Sequence, residues 1–346
     1  MILLRTLLLV PVAIAGAFFG ESIHVPAAWI FSFLVVFGAA AIFGDRQVTP
    51  SKKLSTPAQV IIALLCASPL ATVDGPTMLS YAAPTAVSVV FTLVVCASAS
   101  YLLIKIRGID ATTSVLATLA GGASAMSLLA VDLKADAKFV TLTQFLRLSI
   151  VVLTLPVFVL WLADEPIRSA PEHIPPSDLL KSALGALVVY GIVWLVTRFI
   201  NIPSPYLLLA LALGVVGLMA GIPAEYLTPR GVLADIAFAI IGVQAGGTLT
   251  KGALREFVKS LPVILSAIAV MILGSLMTAW IICTVWGYSM LDAYLATVPG
   301  GVYAVLAFAH EAGSDPVVTV IQVMRVIAML VVGALVPVVF GKRRAG

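Results

Sequence analysis

Charged residues are scarce in this sequence, and their scarcity excludes an ordinary water-soluble protein. Lys, Arg, Asp and Glu make up 10% of the 346 residues, whereas soluble domains carry about 25%. Hydrophobic residues make up 61% of the chain, and the mean hydropathy is +1.15. This composition predicts an integral membrane protein of roughly ten to twelve apolar segments, with the lipid bilayer as its main partner.

Cysteine and histidine are also rare, which argues against disulfide and metal chemistry. Three cysteines, Cys66, Cys96 and Cys283, lie in apolar stretches, and their odd number and irregular spacing argue against disulfides. We interpret them as small packing residues. The three histidines show no metal-ligand spacing, and no nucleophile motif or phosphate-binding loop is present. We therefore predict that the protein is not an enzyme and has no cofactor and no metal site.

The basic residues gather in short loops and at the C-terminus, and the formal net charge is +4. They are not interleaved with aromatic residues on a basic face. Such a distribution is typical of membrane orientation and not of nucleic-acid binding. We therefore expect no nucleic-acid partner.

Two similar halves follow one another along the chain. Residues 116–122, LATLAGG, reappear as residues 295–301, LATVPGG. Downstream, Gln144-x-x-Arg147 is matched by Gln322-x-x-Arg325, again at the start of an apolar stretch. The shared order predicts a duplication, with a first membrane repeat at 1–162, a polar linker at 163–179 and a second membrane repeat at 180–346.

Each half contains six apolar segments, and their number of crossings decides the relative orientation of the halves. The segments are 3–20, 26–44, 57–73, 84–106, 111–131 and 137–162, then 180–199, 203–221, 231–248, 257–286, 291–311 and 316–341. If the fifth segment of each half turns back, fifteen of the eighteen basic residues outside the spans share one side. Twelve full crossings would place only twelve of them on one side.

The asymmetry of positive charge therefore favours an inverted arrangement. We predict an all-α integral membrane protein with ten transmembrane helices in two inverted repeats. Each repeat also has one re-entrant or broken segment. Both termini would be cytoplasmic.

The two fifth segments contain helix-breaking residues near their centres. The breakers are Gly121 and Gly122 in the first half, and Pro299, Gly300 and Gly301 in the second. Such residues free backbone groups that lipid cannot satisfy. Interrupted segments at matching positions of inverted halves indicate the binding site of a transporter.

Arg147 and Arg325 lie about ten residues inside apolar segments, where a charge costs about 2.5 to 3.5 kcal/mol on insertion scales. One interpretation makes them ligands for an anionic substrate, or a fixed charge in an ion site. The other makes each guanidinium a donor to the carbonyls freed by the neighbouring break. The two interpretations are compatible, and the sequence leaves both open.

Five further polar residues are candidates for the same substrate or ion site. Gln144 and Gln322 share a helix face with the arginines and offer both donors and acceptors. Thr118 and Thr297 precede the glycine turns, although a helical threonine more often bonds to its own backbone. Asp235 is a candidate counter-ion to an arginine, or a residue at the membrane interface.

Residues 293–301, AYLATVPGG, together with Gln322-x-x-Arg325, resemble the membrane AbrB family, whose members are duplicated. The first copy departs from the motif by having Ala120 where the second has Pro299. The resemblance implies a bacterial inner-membrane protein with a fold distantly similar to cation/proton antiporters and bile-acid symporters. Family members are labelled as regulators of gene expression or as ammonia monooxygenases, and the sequence offers no metal ligands for the second role.

Two functional hypotheses follow from the residues and the resemblance. The first is a secondary transporter of a small anionic solute in the bacterial inner membrane. The alternative is a membrane-embedded regulator of gene expression that acts indirectly, without transport. The substrate, the coupling ion and the oligomeric state stay open, and a homo-oligomer is compatible with the sequence.

Overall fold

A computed structural model describes residues 2–23, 25, 27–121, 123–162, 175–200 and 204–340. Within these ranges the chain forms seventeen α-helices and no strand. The first eight are α1 Ile2–Ser22, α2 Ala28–Gly44, α3 Lys52–Ala71, α4 Gly75–Ser80, α5 Ala82–Arg107, α6 Ala111–Thr118, α7 Ala123–Asp132 and α8 Ala137–Leu162. The others are α9 Pro176–Val196, α10 Pro205–Met219, α11 Ala224–Leu227, α12 Val232–Gly246, α13 Lys251–Glu256, α14 Leu261–Trp286, α15 Met290–Thr297, α16 Val302–Glu311 and α17 Val317–Phe340.

The length and apolar surface of the helices are those of a membrane protein. Six helical stretches among the described residues are long and apolar enough to cross a bilayer, and five further apolar helices are shorter. Large apolar side chains such as Phe43, Leu187, Leu273 and Trp280 are exposed on the outer surface. Soluble monomers rarely expose large apolar patches. The prediction of an all-α protein is confirmed, and the long apolar helices are compatible with a membrane protein.

Each predicted apolar segment coincides with a helix or a pair of helices. Three short helices, α4, α11 and α13, were not predicted, because they lie in the connections between segments. Residues 163–174 of the predicted linker lie outside the described residues. Helix α9 begins at Pro176, earlier than the predicted start of the second repeat at residue 180, because proline fits the first turn of a helix.

The two fifth segments are each divided into two short helices. Residues 111–131 contain α6 and α7, and residues 291–311 contain α15 and α16. The backbone N–H of Asp136, after α7, donates to Oγ1 of Thr113, near the start of α6, at 3.1 Å. The N–H of Asp315, after α16, donates to Oδ1 of Asp292, at the start of α15, at 3.2 Å.

These two hydrogen bonds show that each divided segment returns to the level at which it began. A straight helix from residue 113 to residue 136 would separate the bonded groups by roughly 35 Å at 1.5 Å per residue. We therefore call residues 110–136 the first hairpin and residues 289–315 the second hairpin. The residues between the two helices of each hairpin form its tip.

Side chains at the ends of the hairpins fix where the neighbouring helices begin. Asp110 accepts from the N–H of Thr113 at the start of α6, at 3.1 Å. Asp136 and Asp315 accept from Phe139 N and Val317 N, at 3.0 and 2.8 Å, at the starts of α8 and α17. These carboxylates satisfy N–H groups that have no partner inside the helix.

The helices of the two halves pack mainly against one another. Helix α2 packs against α12, α3 against α10, and α5 against α14. The largest buried apolar cluster draws on residues from both halves. The two hairpins lie beside α5 and α14 and are covered by α8 and α17, so their tips are surrounded by protein.

Candidate functional site

The tip of the first hairpin is held by two side chains of α8. Gln144 donates through Nε2 to the carbonyl oxygens of Leu116 and Leu119, both at 2.8 Å. Arg147 donates through Nη1 to the carbonyl oxygens of Thr118 and Leu119, at 3.1 and 3.4 Å. Its Nη2 donates to Oε1 of Gln144 at 2.8 Å. The pair therefore satisfies carbonyls that the end of α6 leaves without a helical partner.

The tip of the second hairpin is held in the same way by α17. Gln322 donates through Nε2 to the carbonyl oxygens of Leu295 and Val298, at 2.5 and 3.5 Å. Arg325 donates to the carbonyl oxygens of Thr297, Val298 and Ala296, at 2.6, 2.8 and 3.4 Å. It also donates to Oε1 of Gln322 at 2.5 Å.

Both guanidinium groups keep an unused donor and an unpaired charge. Arg147 is 4% exposed and Arg325 is 1% exposed. The Nε–H of each is buried without a hydrogen-bond partner. The ion pairs in the described part of the chain involve Lys138 and Lys181, and neither buried arginine takes part in one. The arginines thus anchor broken backbone, as one interpretation predicted, and still present positive charge.

The threonines of the two tips bond to backbone. Thr118 donates through Oγ1 to the carbonyl oxygen of Ser114 at 3.0 Å. Thr297 donates to the carbonyl oxygens of Ala293 and of Ser275 on α14, at 2.8 and 3.0 Å. Both threonines therefore bond to the backbone of their own helix, as is common for a helical threonine. Thr297 also connects its hairpin to a neighbouring helix.

The glycines of each tip pack against the long helix of the other half. A Cβ at Gly121 would lie 3.3 Å from the backbone and Cβ of Met329 on α17. A Cβ at Gly300 would lie 2.7 Å from Val151 on α8. Met329 and Val151 each follow the arginine of their own helix by one turn. The tips are therefore held by their own half and packed against the other, which places them side by side.

The remaining residues of the second tip also lie inside the protein. A Cβ at Gly301 would lie 2.2 Å from Cδ1 of Leu148 on α8. Pro299 is buried between α15 and α16. Gly122 lies outside the described residues, so the first tip is described only up to Gly121.

Asp235 is not brought together with the arginines. It lies half-buried in the first turn of α12 and forms no ion pair with either of them. The charges that act on it and its neighbour Glu311 are those of carboxylates, including Glu21. Among the residues that the structure describes, no three His, Cys, Asp or Glu side chains are placed to hold a metal ion.

Cys96 is a site residue that the sequence interpretation missed. Its buried Sγ donates to the carbonyl oxygen of Thr118 at 3.3 Å. It lies close enough to Arg147 and Arg325 to be near both tips. Its counterpart Ser275 lies the same distance before the end of α14 and accepts a bond from Thr297. This repeated position is the signal that could have identified it.

The helix ends at the tips add to the positive potential. Helices α7 and α16 begin at the tips, where a helix dipole is positive and the first N–H groups have no helical partner. The negative ends of α6 and α15 are occupied by the Gln and Arg donors. The arrangement is chemically suited to a small anion.

Comparisons with known proteins agree over most of the chain. Residues 29–340 match the model of the family described as "Transition state regulatory protein AbrB". A protein of Escherichia coli (strain K12) named "Putative regulator AbrB" is 28% identical over 321 residues, which is 90% of this chain and 89% of that protein. The "Uncharacterized protein YhjN" of Bacillus subtilis (strain 168) is 26% identical over 263 residues, 70% of this chain and 67% of that protein.

Proposed function

This chain belongs to the AbrB family of membrane proteins, and from that premise we propose that it is a secondary transporter of a small anionic solute. The observation that carries the proposal is the pair of buried arginines at the two hairpin tips. Each keeps an unpartnered N–H and has no carboxylate paired with it. A buried charged donor without an acceptor is costly, and a bound anion would supply the acceptor.

The hairpins support the topology in which transport would take place. Since each hairpin returns to its starting level, each half would cross the bilayer five times. The protein would then have ten crossings in two inverted repeats, with both termini on the cytoplasmic side of the bacterial inner membrane. An eight-residue helix such as α6 or α15 spans about 12 Å, which brings each tip near the middle of a hydrocarbon layer about 30 Å thick.

The electrostatics favour a small anion over a cation. Two like charges lie in electrostatic contact within the protein, and the positive ends of α7 and α16 point to the same region. The Nη groups are already engaged with carbonyls. An anion would therefore meet the Nε edges and backbone N–H groups, which suits a carboxylate or another compact oxyanion.

The names of the relatives favour a second candidate function. The Escherichia coli relative and the family description both carry the word regulator. In this alternative, the hairpins bind an effector anion. The protein with the anion bound then acts on a partner and does not transport the anion. The same geometry serves both candidates, so only a measurement of movement separates them.

The test begins with binding and ends with flux. Purified protein is heated with acetate, lactate, succinate, benzoate or phosphate, and with choline or tetramethylammonium chloride as matched cation controls. We expect at least one anion, and neither cation, to raise the unfolding temperature, because a ligand of the folded state stabilises it. Proteoliposomes should then accumulate that labelled anion, and Arg147→Gln and Arg325→Lys should reduce uptake.

Two outcomes of this test decide between the candidates, and a third tests the role of the arginines. Binding with uptake that depends on the arginines supports the transporter. Binding without uptake contradicts the transporter and supports the regulator. Uptake that is unchanged in both arginine variants contradicts the role given to the hairpin tips.

A further inference from the structure

A cavity of about 290 Å³ opens beside the first half of α8. Its walls come from α8, from the loop after α12 and from α13, and include Lys138, Thr141, Phe145, Thr248 and Phe257. The cavity contributes nothing to the contacts that hold the hairpin tips. Its place in the fold therefore calls for a separate explanation.

The mouth of the cavity lies at the level where the first hairpin begins and ends. Nζ of Lys138 pairs with Oε1 of Glu256 at 3.1 Å, and both side chains are exposed. Lys138 lies just after Asp136, whose N–H closes the first hairpin. In the proposed topology this level is the cytoplasmic surface.

The last residue of α8 that lines the cavity is Phe145, and α8 continues from there to the tip of the second hairpin. Leu148 is about 15 Å further along α8 than Lys138, and its side chain rests directly on Gly301. In the next position, Oγ of Ser149 donates to the carbonyl oxygen of Ala245 on α12 at 2.8 Å. One turn of α8 therefore separates the cavity from the candidate site.

The matching region of the second half is closed. Thr319 holds the position on α17 that Thr141 holds on α8, three residues before the glutamine. Thr319 is 5% exposed, whereas Thr141 is half-buried and lines the cavity. Helix α16 packs against α17, α3 and α12.

A single tyrosine contributes to this closure. Tyr81 precedes α5 and is 3% exposed, and its hydroxyl donates to Oδ1 of Asp315 at 3.1 Å. Its ring also contacts Tyr288, with the centroids 6.5 Å apart. The corresponding residue before α14 is Ser260, whose short side chain cannot bridge the equivalent distance to Asp136.

We infer that the cavity is a vestibule through which a small anion reaches the tip of the second hairpin from the cytoplasmic side, while the Tyr81–Asp315 contact closes the opposite route. This inference rests on the proposed function and gives it an entry path. A volume of about 290 Å³ lies at the small end of ligand pockets, which hold about 300 to 1,000 Å³. The solute is therefore a small anion and not a lipid-sized one.

The first arm of the test compares the two threonines as cysteines. Thr141→Cys and Thr319→Cys are treated in membrane vesicles with an anionic, membrane-impermeant methanethiosulfonate, applied separately to each face. Wild type, in which Cys66 and Cys96 are buried and Cys283 is half-buried, gives the background rate. Lys251→Cys gives the rate of a fully exposed thiol. We expect Thr141→Cys to react from the cytoplasmic face at least about tenfold faster than Thr319→Cys reacts from either face, because a buried thiol reacts only through rare openings.

The second arm of the test removes the hydrogen bond between Tyr81 and Asp315. In the Tyr81→Phe background, labelling of Thr319→Cys from the outer face should become about three- to tenfold faster. Labelling of Thr141→Cys should become slower, because one equilibrium connects the state open to the cytoplasm with the state open to the outer face. Thr141→Cys that reacts only from the outer face, or that does not react, overturns the inference. Labelling of Thr319→Cys that Tyr81→Phe leaves unchanged also overturns it. Neither arm of this test needs a substrate. If labelling is as expected but no anion uptake is measured in proteoliposomes, only the proposed function is contradicted.

Discussion

The two hairpins share their hydrogen bonds and differ in their surroundings. In each, a glutamine and an arginine from the following helix bind the carbonyls of the tip. Helix α16 of the second hairpin is packed against α3, α12 and α17, and its residues Val305 and Phe308 are fully buried. Helix α7 of the first hairpin packs mainly against α8 and α6, and its Val131 is exposed.

The hydrogen bonds that hold each tip and the packing that covers each hairpin therefore involve separate residues. The Gln-x-x-Arg pairs hold both tips in the same way, although the two hairpins have different neighbours. The neighbours of each hairpin, such as Tyr81 before α5 and Ser260 before α14, decide which side is covered. In the proposed inverted arrangement, two similar hairpins covered to different extents are expected when the protein is open to one side of the membrane.

The largest expected effect is the loss of an arginine at a tip. Arg325→Ala removes donors from three carbonyls and from Gln322. We expect it to lower the free energy of unfolding by about 3 kcal/mol or more, although the lost cost of burying a charge offsets part of the effect. Arg147 donates to two carbonyls, so Arg147→Ala should cost less. Thermal unfolding in detergent measures both.

The matched variants Arg325→Lys and Arg147→Lys serve as controls for charge. A lysine keeps the charge and lacks the planar set of donors, so each variant should fall between wild type and alanine. Equal and small losses for all four variants would contradict the anchoring of the tips.

A smaller effect is expected from filling the space beside the tip glycines. A Cβ at Gly300 would meet Cγ1 of the stiff side chain of Val151 at 2.7 Å. Gly300→Ala should therefore cost about 1 to 3 kcal/mol. At Gly121 the nearest atom is the flexible end of Met126 at 3.0 Å, and the backbone of Met329 lies at 3.3 Å, so Gly121→Ala should cost less than Gly300→Ala.

A double variant sharpens this comparison. Val151→Ala makes room for the new Cβ, so Gly300→Ala combined with Val151→Ala should be more stable than the sum of the single losses predicts. Strict additivity in thermal unfolding would show that Gly300 and Val151 are not in contact.

The smallest expected effect is at the hydrogen bonds that close the hairpins. Asp292→Ala removes the acceptor for Asp315 N and the partner of Ser289, and should cost about 1 to 2 kcal/mol. Thr113→Val removes the acceptor for Asp136 N and should cost about 1 kcal/mol. Hydrogen exchange by mass spectrometry should be faster at the end of the altered hairpin only.

An exchange control lies on α14. Ser266 bonds only to the carbonyls of its own helix, so Ser266→Ala should leave both hairpins unchanged. If Asp292→Ala or Thr113→Val made hydrogen exchange faster in both hairpins, the removed hydrogen bond would not act on its own hairpin alone.

The sequence predicted the features that depend on local signals. Glycine and proline in the middle of an apolar segment break a helix wherever it lies, so the breaks near Gly121 and Gly300 were predictable. A charge as deep as Arg325 needs internal partners, so a donor role toward freed carbonyls was predictable as well. The apolar segments located the long helices with similar ease.

The features that depend on packing between distant segments were not predictable. Nothing local to Cys96 indicates that it lies beside two guanidinium groups. The contact of Tyr81 with Asp315 joins residues far apart in sequence, and the cavity beside Thr141 is formed by α8 together with residues that follow α12. Asp235 was proposed as a counter-ion because of its charge alone, but the fold does not bring it together with the arginines.

The most direct test of the account is whether both ends of each hairpin face the same side of the membrane. Cysteines placed singly at Arg107, Asp132, Val285 and His310 are labelled with the impermeant thiol reagent from each face of sealed vesicles. We expect positions 107 and 132 to react from one face and positions 285 and 310 to react from the opposite face. If positions 107 and 132, or positions 285 and 310, react from opposite faces, that segment crosses the membrane and the paired inverted hairpins do not exist.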